Sequence, residues 1–133
     1  MPQLKLFFTA LITFILLDMV WLGFIAKPLY FHHYREWLRL TDGQLQPVWW
    51  AALIVYLLLA AGVVFFVVPL SANQLLHAAG FGALLGLITY GVYDLTCIAI
   101  LKDWPVGMSL IDWLWGIVLC TASGLVTVFV HAK

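Results

Sequence analysis

Apolar residues dominate four runs, 6–26, 48–70, 78–101 and 108–130. Each is about the 20 residues that an α-helix needs to cross a bilayer. Polar breaks separate them. Ser71-Ala72-Asn73-Gln74 follows Pro69 between the second and third runs, and Lys102-Asp103-Trp104-Pro105-Val106-Gly107 joins the third to the fourth. Connections this short predict antiparallel neighbours. The first break, 27–47, is longer. It sets Tyr30, Tyr34, Trp37 and Leu38 at helical spacing among Arg35, Glu36 and Arg39. Pro28 suits a first helical turn and Asp42-Gly43 a stop. The pattern predicts a short amphipathic helix lying in the interface, with an irregular, aromatically anchored loop as the alternative. The first run is too long for the apolar region of a signal peptide, and Lys27-Pro28-Leu29-Tyr30 follows it in place of a small-residue cleavage site. It reads as a retained helix. The expected fold is all-α and integral to the membrane: a single domain over 1–133, a four-transmembrane-helix bundle with a short interfacial amphipathic helix between helices 1 and 2.

Composition narrows the class. Hydrophobic residues make up 65% of the chain and charged residues 9%, against about 25% charged in soluble domains. That excludes a soluble globular domain, a disordered chain and a nucleic-acid binder. The formal net charge is zero, so no single-sign surface points to a charged macromolecular partner. The lipid bilayer is the expected partner. Cys97 and Cys120 fall at different depths, which predicts free thiols. Lys27, Arg35, Arg39 and Lys102 lie on the side of the first and third connections, and Lys5 and Lys133 on the other. Taken alone, the positive-inside rule places those two connections in the cytoplasm.

The acids change the picture most. Three of the six acidic residues, Asp18, Asp94 and Asp112, lie inside the apolar runs, and no Lys or Arg accompanies them there. An Asp at the centre of a membrane helix costs about 2.5–3.5 kcal/mol on insertion scales, so three cost up to about 10. That is comparable with the whole stability of a domain, about 5–15 kcal/mol. Counted from the membrane face shared by the first and third connections, the three acids fall about 6–13 Å deep. They share a leaflet and are expected to converge on one cavity or hydrogen-bonded cluster.

Aromatic residues accompany each acid. Trp21 follows Asp18 by three residues, Tyr90 precedes Asp94 by four and Tyr93 adjoins it, and Trp115 follows Asp112 by three. Spacings of three and four share a helix face. A carboxyl ringed by Trp and Tyr can hold a cation over aromatic faces or carry a proton. The candidate binding residues are therefore Asp18, Trp21, Tyr90, Tyr93, Asp94, Asp112 and Trp115. Plainer roles compete. Trp and Tyr favour membrane interfaces in any case, Asp112 is shallow enough to cap its helix, and Asp94 can lock helices by bonding Thr or Tyr. Asp112, Gly116, Cys120, Ser123 and Thr127 form a small polar stripe, and Gly82-x-x-x-Gly86 is a small-residue face suited to packing within the bundle or to a homodimer seam. His32-His33 are adjacent, about 100° apart on a helix, and make a poor metal pair. No metal site, cofactor motif, phosphate loop or Ser-His-Asp set is expected.

Asp18-Met19-Val20-Trp21-Leu22-Gly23, Tyr93-Asp94-Leu95-Thr96, Trp104-Pro105 and Asp112 with Trp115-Gly116, taken in order, resemble the motifs of a family of uncharacterised bacterial inner-membrane proteins, a domain of unknown function. The resemblance covers essentially the whole chain. Cys97 stands where that family usually has Asn. The resemblance implies four helices and a multi-pass location in the bacterial inner (cytoplasmic) membrane, and it groups the three acidic motifs without naming a reaction.

Two functional classes follow. One is a binder or carrier of a small amphipathic or cationic molecule, with the aspartates as proton or cation sites. The other is a membrane enzyme that uses acid/base chemistry on a lipid or isoprenoid substrate, protonating an alkene and stabilising a carbocation on aromatic faces. A structural or accessory subunit is the third option. The first is favoured, because the polar groups are acids, hydroxyls and aromatics without a clear nucleophile.

Overall fold

The computed structural model describes residues 2–133. It contains four helices long and apolar enough to span a membrane, which we call α1 (Pro2–Ile25), α3 (Trp49–Ser71), α4 (Leu75–Ile100) and α5 (Val106–Ala132). A shorter helix, α2 (Lys27–Tyr34), follows α1. The protein is an all-α membrane bundle. The spans extend a few residues beyond the apolar runs, because helical hydrogen bonding continues into the flanking polar residues.

The connections follow local chemistry. Ala72 and Asn73 adopt left-handed conformations (φ 52° and 62°) to turn α3 into α4. Asp103 does so (φ 58°) between α4 and α5. Pro105 then occupies the N-cap of α5. The first connection departs from expectation. α2 ends at Tyr34 rather than at Asp42-Gly43. Those two residues instead form the tip of a small hairpin, β1 (Leu40–Thr41) paired antiparallel with β2 (Gln44–Leu45). Both tip residues have positive φ, 53° and 76°. An Asp-Gly pair with that backbone is the preferred two-residue hairpin turn, and it outweighed a helix-stop reading.

α1 and α3 each contain one π-helical turn, Trp21–Ile25 and Val63–Val67. The N–H of Ala26 bonds to the Trp21 carbonyl at 2.7 Å, five residues back. Such turns insert one residue and redirect the side chains that follow. α4 and α5 pack most tightly. A Cβ on Gly82 would lie 2.7 Å from the Cys120 carbonyl oxygen, and one on Gly86 only 2.4 Å from that of Gly116. The small-residue face thus lets two backbones touch inside one chain. Buried Ala10, Phe14, Ala60, Val63, Val67, Leu119 and Val128 fill the half of the bundle toward the chain termini. The aspartates lie in the other half, toward α2 and the α4–α5 connection.

Candidate functional site

Each acid projects from the inner face of its helix. Asp18, Asp94 and Asp112 are buried among apolar neighbours, with Asp94 the most enclosed at 1% exposed. Asp18 lies seven residues before the end of α1, Asp94 six before the end of α4 and Asp112 six after the start of α5. At 1.5 Å per residue these are depths of about 9–10 Å from one membrane face. Asp112 lies within electrostatic reach of both of the others.

The partners come from other helices rather than from the nearest turn. Asp18 accepts hydrogen bonds from the Tyr56 hydroxyl of α3 and, at 2.9 Å, from Nε1 of Trp115 on α5. Asp112 accepts from the Tyr30 hydroxyl of α2 at 2.5 Å. Trp21 Nε1 donates in turn to Tyr30 at 3.1 Å. The Trp21 and Trp115 rings stack with centroids 4.5 Å apart and planes 9° from parallel. One network therefore runs from Tyr56 through Asp18, Trp115, Trp21 and Tyr30 to Asp112. Asp112 does not cap α5: it lies a turn and a half inside the helix and binds a side chain from α2.

Asp94 differs from both. Its carboxyl lies within hydrogen-bonding reach of that of Asp112, so a proton shared between the two would join them; with both ionised, neither Asp94 oxygen has a partner among the described residues. It does not bond Thr or Tyr across helices. Tyr90, its neighbour by helical spacing, lays its ring on the backbone of Gly116, where a Cβ would sit 2.0 Å from the ring. Tyr93 is 56% exposed on the outer face of α4 and does not join the cluster.

α2 roofs this layer. Pro28 starts the helix, and the spacing of four puts Tyr30 and Tyr34 on one face. Tyr34 is buried. Its hydroxyl meets Ser109 Oγ at 3.5 Å, and its ring stacks on Trp104 at 4.5 Å. Trp37 leans on the same indole at 5.2 Å. Burial pushes the Tyr34 hydroxyl up to about 12. Burial, reinforced by the Asp112 carboxyl, raises the Tyr30 hydroxyl above its ordinary value too. Both phenols remain neutral donors at physiological pH.

Tyr30 and Tyr56 escaped the sequence reading, although one signal pointed to Tyr56. It is the single hydroxyl near the middle of an otherwise apolar span, and a buried Tyr hydroxyl usually finds a partner. Tyr30 had no such signal, because its partner is 82 residues away. Two surface pockets lie elsewhere, one beside Gln3, Asn73 and His131 and one along Gly91, Leu95 and Trp113. Among the described residues, no group of three or more His, Cys, Asp or Glu side chains is placed to hold a metal ion. Cys97 and Cys120 are both free and buried.

Over residues 3–129 the chain matches the family described as predicted membrane protein (DUF2177), and it belongs to that family. No curated protein and no solved structure gives a significant match.

Proposed function

We propose that this member of the predicted membrane protein family binds or carries a small cationic or amphipathic molecule at its intramembrane acids, with protons competing for the same carboxyls. The observation that carries this reading is Asp94. A buried polar group normally has a hydrogen-bond partner, and a buried charge normally has an opposite one. Ionised, Asp94 has neither a bonded partner among the described residues nor a Lys or Arg within its span, and only a proton shared with Asp112 would pair it. The donors reaching Asp18 and Asp112 are the neutral groups of Tyr56, Trp115 and Tyr30. A cation or a proton supplies the positive charge that the Asp94–Asp112 pair lacks. The rings of Trp115, Trp21, Tyr30 and Tyr34 gather around the acids, and aromatic rings of this kind can hold an organic ammonium. Acids of this sort inside a membrane are functional by default. We place the protein in the bacterial inner membrane with α2 and the α4–α5 connection cytoplasmic, on the charge asymmetry of the connections.

Tetraphenylphosphonium is a suitable probe, titrated calorimetrically against the protein in lipid nanodiscs. Saturable binding that weakens as the pH falls is the expected result. Binding no greater than to protein-free nanodiscs, or binding independent of pH between about 5 and 8, would contradict the proposal.

A further inference from the structure

A second unpartnered group lies at the same end of the bundle and has the opposite polarity. Nε1 of Trp104 is buried and, among the described residues, has no acceptor. An indole N–H is a donor only, and buried Trp normally satisfies it. Trp104 is held in place from two sides, by the stacked Tyr34 ring and by Trp37. Tyr34 ties this group to the acids. Its hydroxyl meets Ser109, one turn from Asp112 along α5, and it lies within the electrostatic reach of Asp112 and Asp94.

A buried acceptor and a buried donor, both unpaired while the acids are ionised, thus lie at one end of the bundle, joined through Tyr34, which stacks on the indole and reaches Ser109 one turn from Asp112. A metal ion or a bare alkylammonium satisfies Asp94 and leaves Trp104 unpaired. A molecule that carries a cation and an acceptor oxygen a few bonds apart satisfies both. We infer that the site takes an organic ammonium bearing an acceptor oxygen on the same head, of the amino-alcohol, amino-ether or amino-ester kind, with the ammonium at Asp94 and Asp112 and the oxygen on Trp104 Nε1. The inference rests on the cation-binding reading above and adds Trp104 as the residue that sets specificity. Depth agrees with this order. Trp104 lies in the connection at the membrane face, whereas Asp94 and Asp112 lie about 9 Å below it, so the oxygen sits outward and the cation inward.

Two probes separate this inference from the reading beneath it. Both are octyldimethylammonium cations, one with a methoxyethyl arm and the other with a butyl arm. They share charge and size and differ by one ether oxygen. Calorimetry in nanodiscs should show the methoxyethyl probe binding about three- to tenfold more tightly, the worth of one hydrogen bond. W104F keeps the ring stack and loses the donor. It should lose the preference and bind the two probes with equal affinity. Equal affinities in the wild type, or an unchanged preference in W104F, would overturn the inference while leaving the cation site standing. Failure of both probes to bind, or binding by both that survives Asp94→Asn, would overturn the cation site and this inference together. Should W104F not fold, the indole N–H resonance of Trp104 in the nitrogen-15-labelled wild type answers the question. It should move downfield with the methoxyethyl probe and stay with the butyl probe, and the same response to both would refute the role of Trp104.

Discussion

Trp21 and Trp115 stack face to face, 4.5 Å between centroids and 9° from parallel, and each indole N–H serves a different acid of one network. Trp115 donates directly to Asp18, and Trp21 reaches Asp112 through Tyr30. The stack and the Trp115–Asp18 hydrogen bond together link α1 to α5 at the depth of the acids. Trp115→Phe keeps a ring and removes the donor to Asp18. We expect a loss of about 1–3 kcal/mol, the cost of leaving a buried acceptor unsatisfied. A double-mutant cycle of Trp21→Leu and Trp115→Leu, read by unfolding in detergent, should give a coupling of about 0.5–1.5 kcal/mol beyond the single effects. Strict additivity would mean that the stack is incidental.

Tyr56 is the contribution of α3 to the site. Tyr56→Phe removes only the hydroxyl that bonds Asp18. It should cost about 1–3 kcal/mol and leave helix content unchanged by circular dichroism. Loss of helix content would point to a packing role instead.

Close approach of α4 to α5 depends on Gly86, whose added Cβ would meet the Gly116 carbonyl oxygen at 2.4 Å. Backbone cannot give way as a side chain can, so Gly86→Ala should destabilise by about 1–3 kcal/mol through overpacking. Gly80, on the same helix, has nothing within 4 Å of an added Cβ. Gly80→Ala should cost nothing measurable. Equal melting temperatures for the two variants would argue against the α4–α5 contact.

Both thiols are buried and free. Under denaturing, non-reducing conditions, mass spectrometry should find Cys97 and Cys120 fully alkylatable. An intrachain bridge between them would be incompatible with the helix arrangement.

The sequence carried the four spans and the shared depth of the acids, because both depend on one-dimensional quantities: run length and distance along a helix. Partner identity was not legible in the same way. Spacing pairs Asp18 with Trp21 and Asp112 with Trp115, but Trp115 bonds Asp18, and Trp21 serves Asp112 through Tyr30. Side-chain direction across a bundle depends on helix rotation. In α1 that rotation changes at the π-helical turn that begins at Trp21, which no periodicity argument registers. The adjacency of Tyr93 to Asp94 misled for a simpler reason: consecutive residues on a helix point about 100° apart, and Tyr93 faces outward. In the first connection, Asp42-Gly43 fitted two kinds of turn, and its positive-φ backbone made it the tip of a hairpin that sets Leu40 opposite Leu45.

Asp94 gives the most direct test of the account. Asp94→Asn keeps the shape of the side chain and loses the ionisable group, whereas Asp94→Leu also removes its polarity. Melting temperature and tetraphenylphosphonium binding should be measured in nanodiscs for the wild type and both variants. The account predicts that the Asn variant melts within a few degrees of the wild type and loses at least about 90% of its binding, equivalent to about 1.4 kcal/mol. An Asn variant that binds as the wild type does, with stability lost only in the Leu variant, would contradict it and leave Asp94 a structural residue.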